Sequence, residues 1–155
     1  MRPADLIHLR AAIAVSRSAR ANGNEPYGAV LVDSDGTVLG SAENTQVTGG
    51  DCTGHAETNL LREASQRIDR ATLDRATLYA SGEPCPMCAG AIYWSGVGRV
   101  VYGLSVDSML ALAGPGADEL ILSCRDVLAR GTRKIEVLGP QLEDEARRVF
   151  EESPQ

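Results

Sequence analysis

Aromatic side chains are scarce: one Trp, one Phe and four Tyr make up only 4% of the 155 residues, so any ring at a pocket is informative. No apolar run approaches the roughly 20 residues that cross a bilayer, which excludes a spanning helix and a membrane partner. Basic charge is in deficit, with 15 Lys and Arg against 21 Asp and Glu and a formal net charge of −6. A surface of that sign repels phosphate backbones and argues against a nucleic-acid partner. No export signal is legible in residues 1–20, which open Met1-Arg2-Pro3-Ala4-Asp5 and carry charges throughout. Cys52, Cys85, Cys88 and Cys124 therefore read as thiols of a reducing, cytoplasmic compartment rather than as disulfides. Repeats, low-complexity tracts and linkers are missing too, so a single domain over residues 1–155 is expected.

What remains is a hydrophobic share of 43% with 23% charged residues, the balance of a globular chain. Leu6, Leu9, Ile13 and Ala14 recur at helical spacing and predict a helix from about Ala4 to Ala21, stopped at Asn22-Gly23-Asn24. Gly28–Val32 and Thr37–Ser41, separated by the turn Asp33-Ser34-Asp35-Gly36, predict a hairpin. Residues 44–54 read as a loop and His55 to about Ile68 as a helix with Leu60, Leu61 and Ala64 on its apolar stripe. Thr77–Ser81 predicts a buried strand, Cys85–Ser95 a helix ending at Gly96, and Arg99–Gly103 a strand. Asp118 to about Ala129 reads as a helix stopped by Gly131, Lys134–Leu138 as a strand and Gln141–Phe150 as a last helix. Strands alternating with helices imply parallel pairing with helical crossovers. The expected fold class is α/β: a three-layer α/β/α sandwich on a five-stranded sheet that the hairpin makes mixed.

Two clusters carry chemistry, each at a predicted helix start: His55-Ala56-Glu57 and Pro84-Cys85-Pro86-Met87-Cys88-Ala89. In a Cys-x-x-Cys step opening a helix, both sulfurs can converge on one ion, and the helix start favours their thiolate form. One imidazole added to them gives a His/Cys/Cys set suited to Zn²⁺, one ion per chain, with the fourth position left to water. Zinc lowers the pKa of such a water towards about 7. Glu57 stands two residues past His55, roughly 200° around a helix, so the two side chains cannot reach one ion from the same face. A carboxyl group beside the metal and not on it can move protons from water to a ring nitrogen and a leaving amine. A closed structural site with Cys52 as fourth ligand is the alternative.

His-x-Glu followed by Pro-Cys-x-x-Cys is the spacing of zinc nucleobase deaminases. The chain resembles the cytidine deaminase-like superfamily, in its branch of guanine deaminases and tRNA adenosine deaminases. Asp51–Glu57 is similar to that branch's metal-and-acid loop, and Glu83–Trp94 is especially like the guanine deaminases. Pro26-Tyr27-Gly28-Ala29-Val30 matches the start of the family's first strand, and Asn44 its polar residue after the hairpin. The resemblance covers about residues 5–113 well and the remainder only in the order of elements. It implies zinc held by His55, Cys85 and Cys88, with Glu57 as the catalytic proton shuttle. It also implies Asn44 bonding the ring or a sugar, the Ala56 N–H meeting a ring acceptor, and Tyr27 and Trp94 walling the pocket. Guanine deaminases grip the purine with an acid shortly after the fourth strand, and Asp107 stands near that place. Leu110 and Ala111 do not supply one, and Ala113-Gly114-Pro115-Gly116-Ala117 replaces the family's later aromatic-acidic stretch.

The expected activity is hydrolytic release of ammonia from a small nucleobase or nucleoside, guanine or a related aminopurine or aminotriazine first. Adenosine-to-inosine editing in tRNA and deamination of cytosine or a nucleoside are the alternatives. An ending of Arg147-Arg148-Val149-Phe150 followed by acids and Ser153-Pro154-Gln155 is a poor phosphate grip, against the first of these. The resemblance also implies a homodimer. Several residues have plainer readings: Asn44 as a turn residue, Tyr27 as a seal of the sheet edge, Trp94 as core, Asp107 as a helix N-cap and Glu83 as a cap of the metal helix. Cys124 reads as a small buried hydrophobe, and His8 as a surface or helix-packing residue.

Overall fold

The structure is a computed structural model that describes residues 1–152; residues 153–155, the last of the ending considered above, lie outside the described residues. Helix α1 runs Pro3–Ala21, with Pro at its start, where a missing N–H costs nothing, and its stripe of Leu9, Ala12, Ile13, Ser16 and Ala19 buried. Strands β1 (Gly28–Val32) and β2 (Val38–Glu43) form the hairpin. After them come α2 (Gln46–Gly49), α3 (Ala56–Arg67), α4 (Arg70–Arg75) and β3 (Thr77–Gly82). The chain continues through α5 (Pro86–Ser95), β4 (Arg99–Leu104), α6 (Val106–Ala113), α7 (Cys124–Ala129), β5 (Glu136–Leu138) and α8 (Glu143–Glu151).

The five strands lie in the order β2-β1-β3-β4-β5. β1 pairs antiparallel with both β2 and β3, whereas β3–β4 and β4–β5 are parallel, so the sheet is mixed as the hairpin implied. Alternate residues of the inner strands face opposite layers. Leu31, Leu78 and Val100 pack with α3, α5 and α7 on one side. Val30, Tyr79 and Val101 pack with α1 and α8 on the other. That is the three-layer sandwich. Among the described residues no helix is long and apolar enough to cross a membrane.

Three departures from the sequence expectations matter for the site. The loop after the hairpin contains α2, whose amides are drawn in by a buried Asn24 accepting from the N–H of Val47 and of Thr48 at 3.1 and 3.0 Å. The helix expected from Asp118 starts only at Cys124, where Ser123 caps it by accepting from the Asp126 N–H at 3.1 Å. Leu120, Ile121 and Leu122 stay exposed, so their apolar run finds no layer to cover and leaves 114–123 outside regular helix. The cap of α6 is Ser105, accepting from the Ser108 N–H, and not Asp107, which lies one position inside the helix.

Candidate active site

His55 is the N-cap of α3 and Cys85 the N-cap of α5, two helices packed side by side on one layer. Pro86 at the first position of α5 and Gly96 in the left-handed region at its end (φ 95°) fix the helix between the metal motif and β4. The imidazole Nδ1 of His55 lies 3.5 Å from Cys85 Sγ and 3.6 Å from Cys88 Sγ. All three donor atoms sit within 4.8 Å of one another. Tetrahedral zinc, with Zn–S of about 2.3 Å and Zn–N of about 2.0 Å, requires N···S separations of about 3.5 Å, so this trio fits the ion. Among the described residues no fourth His, Cys, Asp or Glu joins the cluster, and Cys52 is exposed outside it. The closed-site alternative thus loses its fourth ligand.

The two sulfurs behave as an unlike pair. Cys85 is held well below the usual thiol range, first by the hydrogen bond from Cys88 and then by that of His55. Cys88 is pushed far up by the hydrogen bond to Cys85 and by burial. Its sulfur also lies 3.2 Å from Thr58 Oγ1, so α3 contributes both His55 and a hydroxyl partner to the cluster. The His55 imidazole is raised, chiefly by its hydrogen bond to Cys85, with the charges of Cys85, Glu57 and Glu119 acting in the same direction.

Glu57 is only 5% exposed, and burial is the first cause of its raised pKa, with the Cys85 charge adding to it. A carboxyl group in that environment exchanges protons more readily near neutrality than one in water. The Ala56 N–H belongs to the first turn of α3, where amides have no partner within the helix.

The remaining sequence-predicted residues divide. Tyr27 is brought to the cluster: its hydroxyl is raised by burial first and then by the charges of Glu25, Glu119, Glu57 and Cys85. Its ring packs edge-on against Phe150, with centroids 5.5 Å apart. Asn44 follows β2 and is 1% exposed; its Oδ1 accepts from the Gln46 N–H at 3.0 Å and its Nδ2 donates to Gln46 Oε1 at 2.8 Å. The turn reading of Asn44 is therefore correct, and one amide proton remains for another partner. Trp94 is not core: it is 79% exposed on α5, edge-on to Tyr93. Asp107 is exposed and lines a shallow depression with Ser108, Ala111, Leu112, Arg147 and Glu151, to which none of the cysteine and histidine donors contributes. Glu83 caps the starts of α6 and α7 rather than the metal helix, by accepting from the N–H of Val106 and of Cys124. Cys124 is buried as expected, and His8 lies tilted against Tyr79 with ring centroids 5.2 Å apart.

Glu119 is the residue that sequence reasoning missed. Its charge is a lesser cause of the raised pKa of Tyr27 and of His55, and it lies in a stretch expected to begin a helix that the structure leaves irregular.

Residues 3–104 match the family described as the cytidine and deoxycytidylate deaminase zinc-binding region. A probable cytosine deaminase of Schizosaccharomyces pombe is 43% identical over 144 residues, 92% of this chain and 87% of that protein. A tRNA-specific adenosine deaminase of Haemophilus influenzae is 41% identical over 97 residues, but the match spans 63% of this chain and 56% of that one. Among solved structures, the guanine deaminase from Nitrosomonas europaea superposes with a TM-score of 0.78 at 25% identity, covering 93% of this chain and 81% of that one. Relatives acting on three different bases thus share this frame, and the zinc-spaced trio lies within the matched region. The chain belongs to the cytidine and deoxycytidylate deaminase zinc-binding family and is a zinc-dependent deaminase of that superfamily.

Proposed function

We propose that the chain acts as one domain that hydrolyses the amino group of a small heterocycle, with guanine or a related aminopurine or aminotriazine as substrate. The observation that carries this reading is a buried carboxyl group, Glu57, standing beside three zinc-spaced donors without joining them. His55, Cys85 and Cys88 would hold the ion. Zinc, when bound, supplies Lewis acidity and a water acidified towards about 7.

Glu57 takes a proton from water and delivers protons to a ring nitrogen and to the departing amine. The water oxygen bonds to the ring carbon, one water proton ends on the ring nitrogen and the other on the amine, and the C–N bond breaks to release ammonia. The Ala56 N–H donates to a ring acceptor, a geometry that a helix start offers without rearrangement. Asn44, held against rotation by Gln46, presents its remaining amide proton to the ring or a sugar. Tyr27 walls the pocket.

The acid that would meet the N–H groups of a purine is Glu119, between α6 and α7, rather than Asp107, whose depression is lined by none of the metal donors. A carboxylate there favours a ring rich in N–H donors, which is the chemistry of guanine. Trp94 and Met87, exposed on the metal-bearing helix, are covered by a second copy in a cytoplasmic homodimer.

Cytosine is the second reading, favoured by the 43% identity over 92% of the chain to a probable cytosine deaminase. Editing of tRNA is disfavoured by the net charge of −6. An ammonia-release screen over guanine, guanosine, adenine, adenosine, cytosine, cytidine and aminotriazines tests the ranking. Guanine turned over fastest supports the first reading, and cytosine ahead of every purine replaces it with the second. A salt-sensitive, sub-micromolar complex with tRNA would restore the editing reading.

A further inference from the structure

Glu83 ends the buried stretch that leads from β3 into Cys85 and is itself 6% exposed. Its two carboxyl oxygens serve two different helices: Oε2 accepts from the Val106 N–H at 2.8 Å and Oε1 from the Cys124 N–H at 3.0 Å. Val106 is the first residue of α6 and Cys124 the first of α7. Both amides belong to helix starts, which leave their N–H groups without intrahelical partners and carry partial positive charge. The Glu83 N–H in turn donates to the Leu104 carbonyl at 2.7 Å, so backbone and side chain both tie this strand end to the β4–α6 turn.

The same strand end touches the pocket wall. A methyl group placed on Gly82 would lie 2.9 Å from Met109 Sδ of α6 and 3.0 Å from Tyr27 Cε1, so α6 and Tyr27 both close on that backbone. Residues 114–123 join α6 to α7, and both helices that flank them begin on Glu83. A single side chain adjacent to the metal motif therefore fixes the starts of both helices, and α6 is the one that closes with Tyr27 on that strand end.

We propose that Glu83 is a positioning residue of the deaminase site: by pinning the first amides of α6 and α7 to the strand end that leads into Cys85, it sets how α6 and Tyr27 close on that strand end and thereby which heterocycle is held. The inference rests on Tyr27 walling the pocket, as proposed above. A cap of purely structural value would stabilise the fold without changing recognition.

Two variants of the full, zinc-loaded chain separate these roles. Glu83→Gln keeps the size of the side chain but offers one acceptor to two amides. Val106→Pro removes one N–H and leaves the carboxyl group untouched. Proline suits the first position of a helix, and Ser105 with ψ 158° already has the backbone of a residue preceding proline. With guanine as probe, and cytosine and adenosine alongside, each variant is expected to raise KM about tenfold, the equivalent of one buried hydrogen bond to a carboxylate. Zinc content is expected to stay at one per chain, and kcat to stay within about twofold. Amide exchange across α6 is expected to quicken in both, and the double variant to fall short of the product of the singles, since both weaken the hold of Glu83 on the same helix starts.

An unchanged KM in folded, zinc-loaded Val106→Pro overturns the proposal, whatever happens to its melting temperature. Loss of zinc from Glu83→Gln also overturns it, because the side chain would then act through Cys85. If the unsubstituted chain releases ammonia from none of the three probes, the functional reading fails on its own. Exchange then decides the positioning claim, with unchanged protection of α6 in Val106→Pro counting against it.

Discussion

Two buried polar clusters lie in different parts of the sheet and differ in what they leave unspent. At the start of β4, Asp5 is 0% exposed and accepts two hydrogen bonds from Arg99, at 2.7 and 2.8 Å. It also accepts from the Tyr79 hydroxyl at 2.7 Å and the Arg2 N–H at 2.6 Å, while Arg99 Nε donates to Glu136 at 2.9 Å. That cluster is closed: α1, β3, β4 and β5 are stitched together and no vertex remains for a guest. Beyond the far end of β3, His55, Cys85 and Cys88 converge as three donors that would hold a zinc ion, and Glu57 is buried next to them with no salt bridge among the described residues. Burying polar groups costs free energy in both places. Where partners inside the chain are complete, the return is a fixed architecture; where they are incomplete, it is chemistry.

The sharpest way to break this contrast is at Glu57. Glu57→Gln preserves the shape and is expected to lower kcat by about 10²–10⁴-fold, the range of a lost proton-transfer group, with zinc content and melting temperature near those of the unsubstituted chain. Ammonia release at an undiminished rate would show that the open cluster is not where protons move.

Asp5→Asn attacks the closed cluster and should do the reverse. Leaving Arg99 buried with its main partner neutralised is expected to cost about 3–5 kcal/mol of stability, read from chemical denaturation. The KM and kcat of the fraction that remains folded should be unchanged. A fall in kcat with stability intact would mean that the two clusters are coupled.

Acid sharpens the same distinction. The hydrogen bonds from Arg99 hold Asp5 below the usual carboxylate range, against the opposing effect of burial. A group with a lowered folded pKa stabilises the protein above its unfolded pKa of about 3.9, and the contribution disappears as pH falls through the folded value. The stability gap between the unsubstituted chain and Asp5→Asn should therefore be flat above about pH 5 and narrow below about pH 4. A gap that persists unchanged into strong acid would assign its cause to packing.

The smallest effect is expected on the open side of the metal-bearing helix. Trp94→Ala removes a ring that is 79% exposed, so the stability of one chain should shift by no more than about 0.5 kcal/mol. Sedimentation should show the dimer weakened. A chain that sediments as a monomer before substitution would remove the homodimer from the proposal.

Much of this was legible along the chain. The first helix, the β1 strand and the metal helix fall within a residue or two of where periodicity and punctuation placed them, because Pro3, Gly23, Pro86 and Gly96 mark their ends locally. Hidden from such reading were α4 and the late start of α7, where short segments take their conformation from the layer beneath. Leu120, Ile121 and Leu122 illustrate the failure: their apolar run suggests a buried helix face, yet Ser123 supplies the stronger helix start and the three side chains remain in water.

The sequence by itself determined the family and its deaminase class, since two sulfurs, an imidazole and a carboxyl group at helix starts match the zinc motif in type and spacing alone. Tertiary structure alone decided which groups surround that chemistry. Glu83 finds its donors 23 and 41 residues away, and Arg99 finds Asp5 across 94 residues. No local pattern records such pairs, because each forms only after the sheet has brought distant segments together and excluded the water that would otherwise satisfy them.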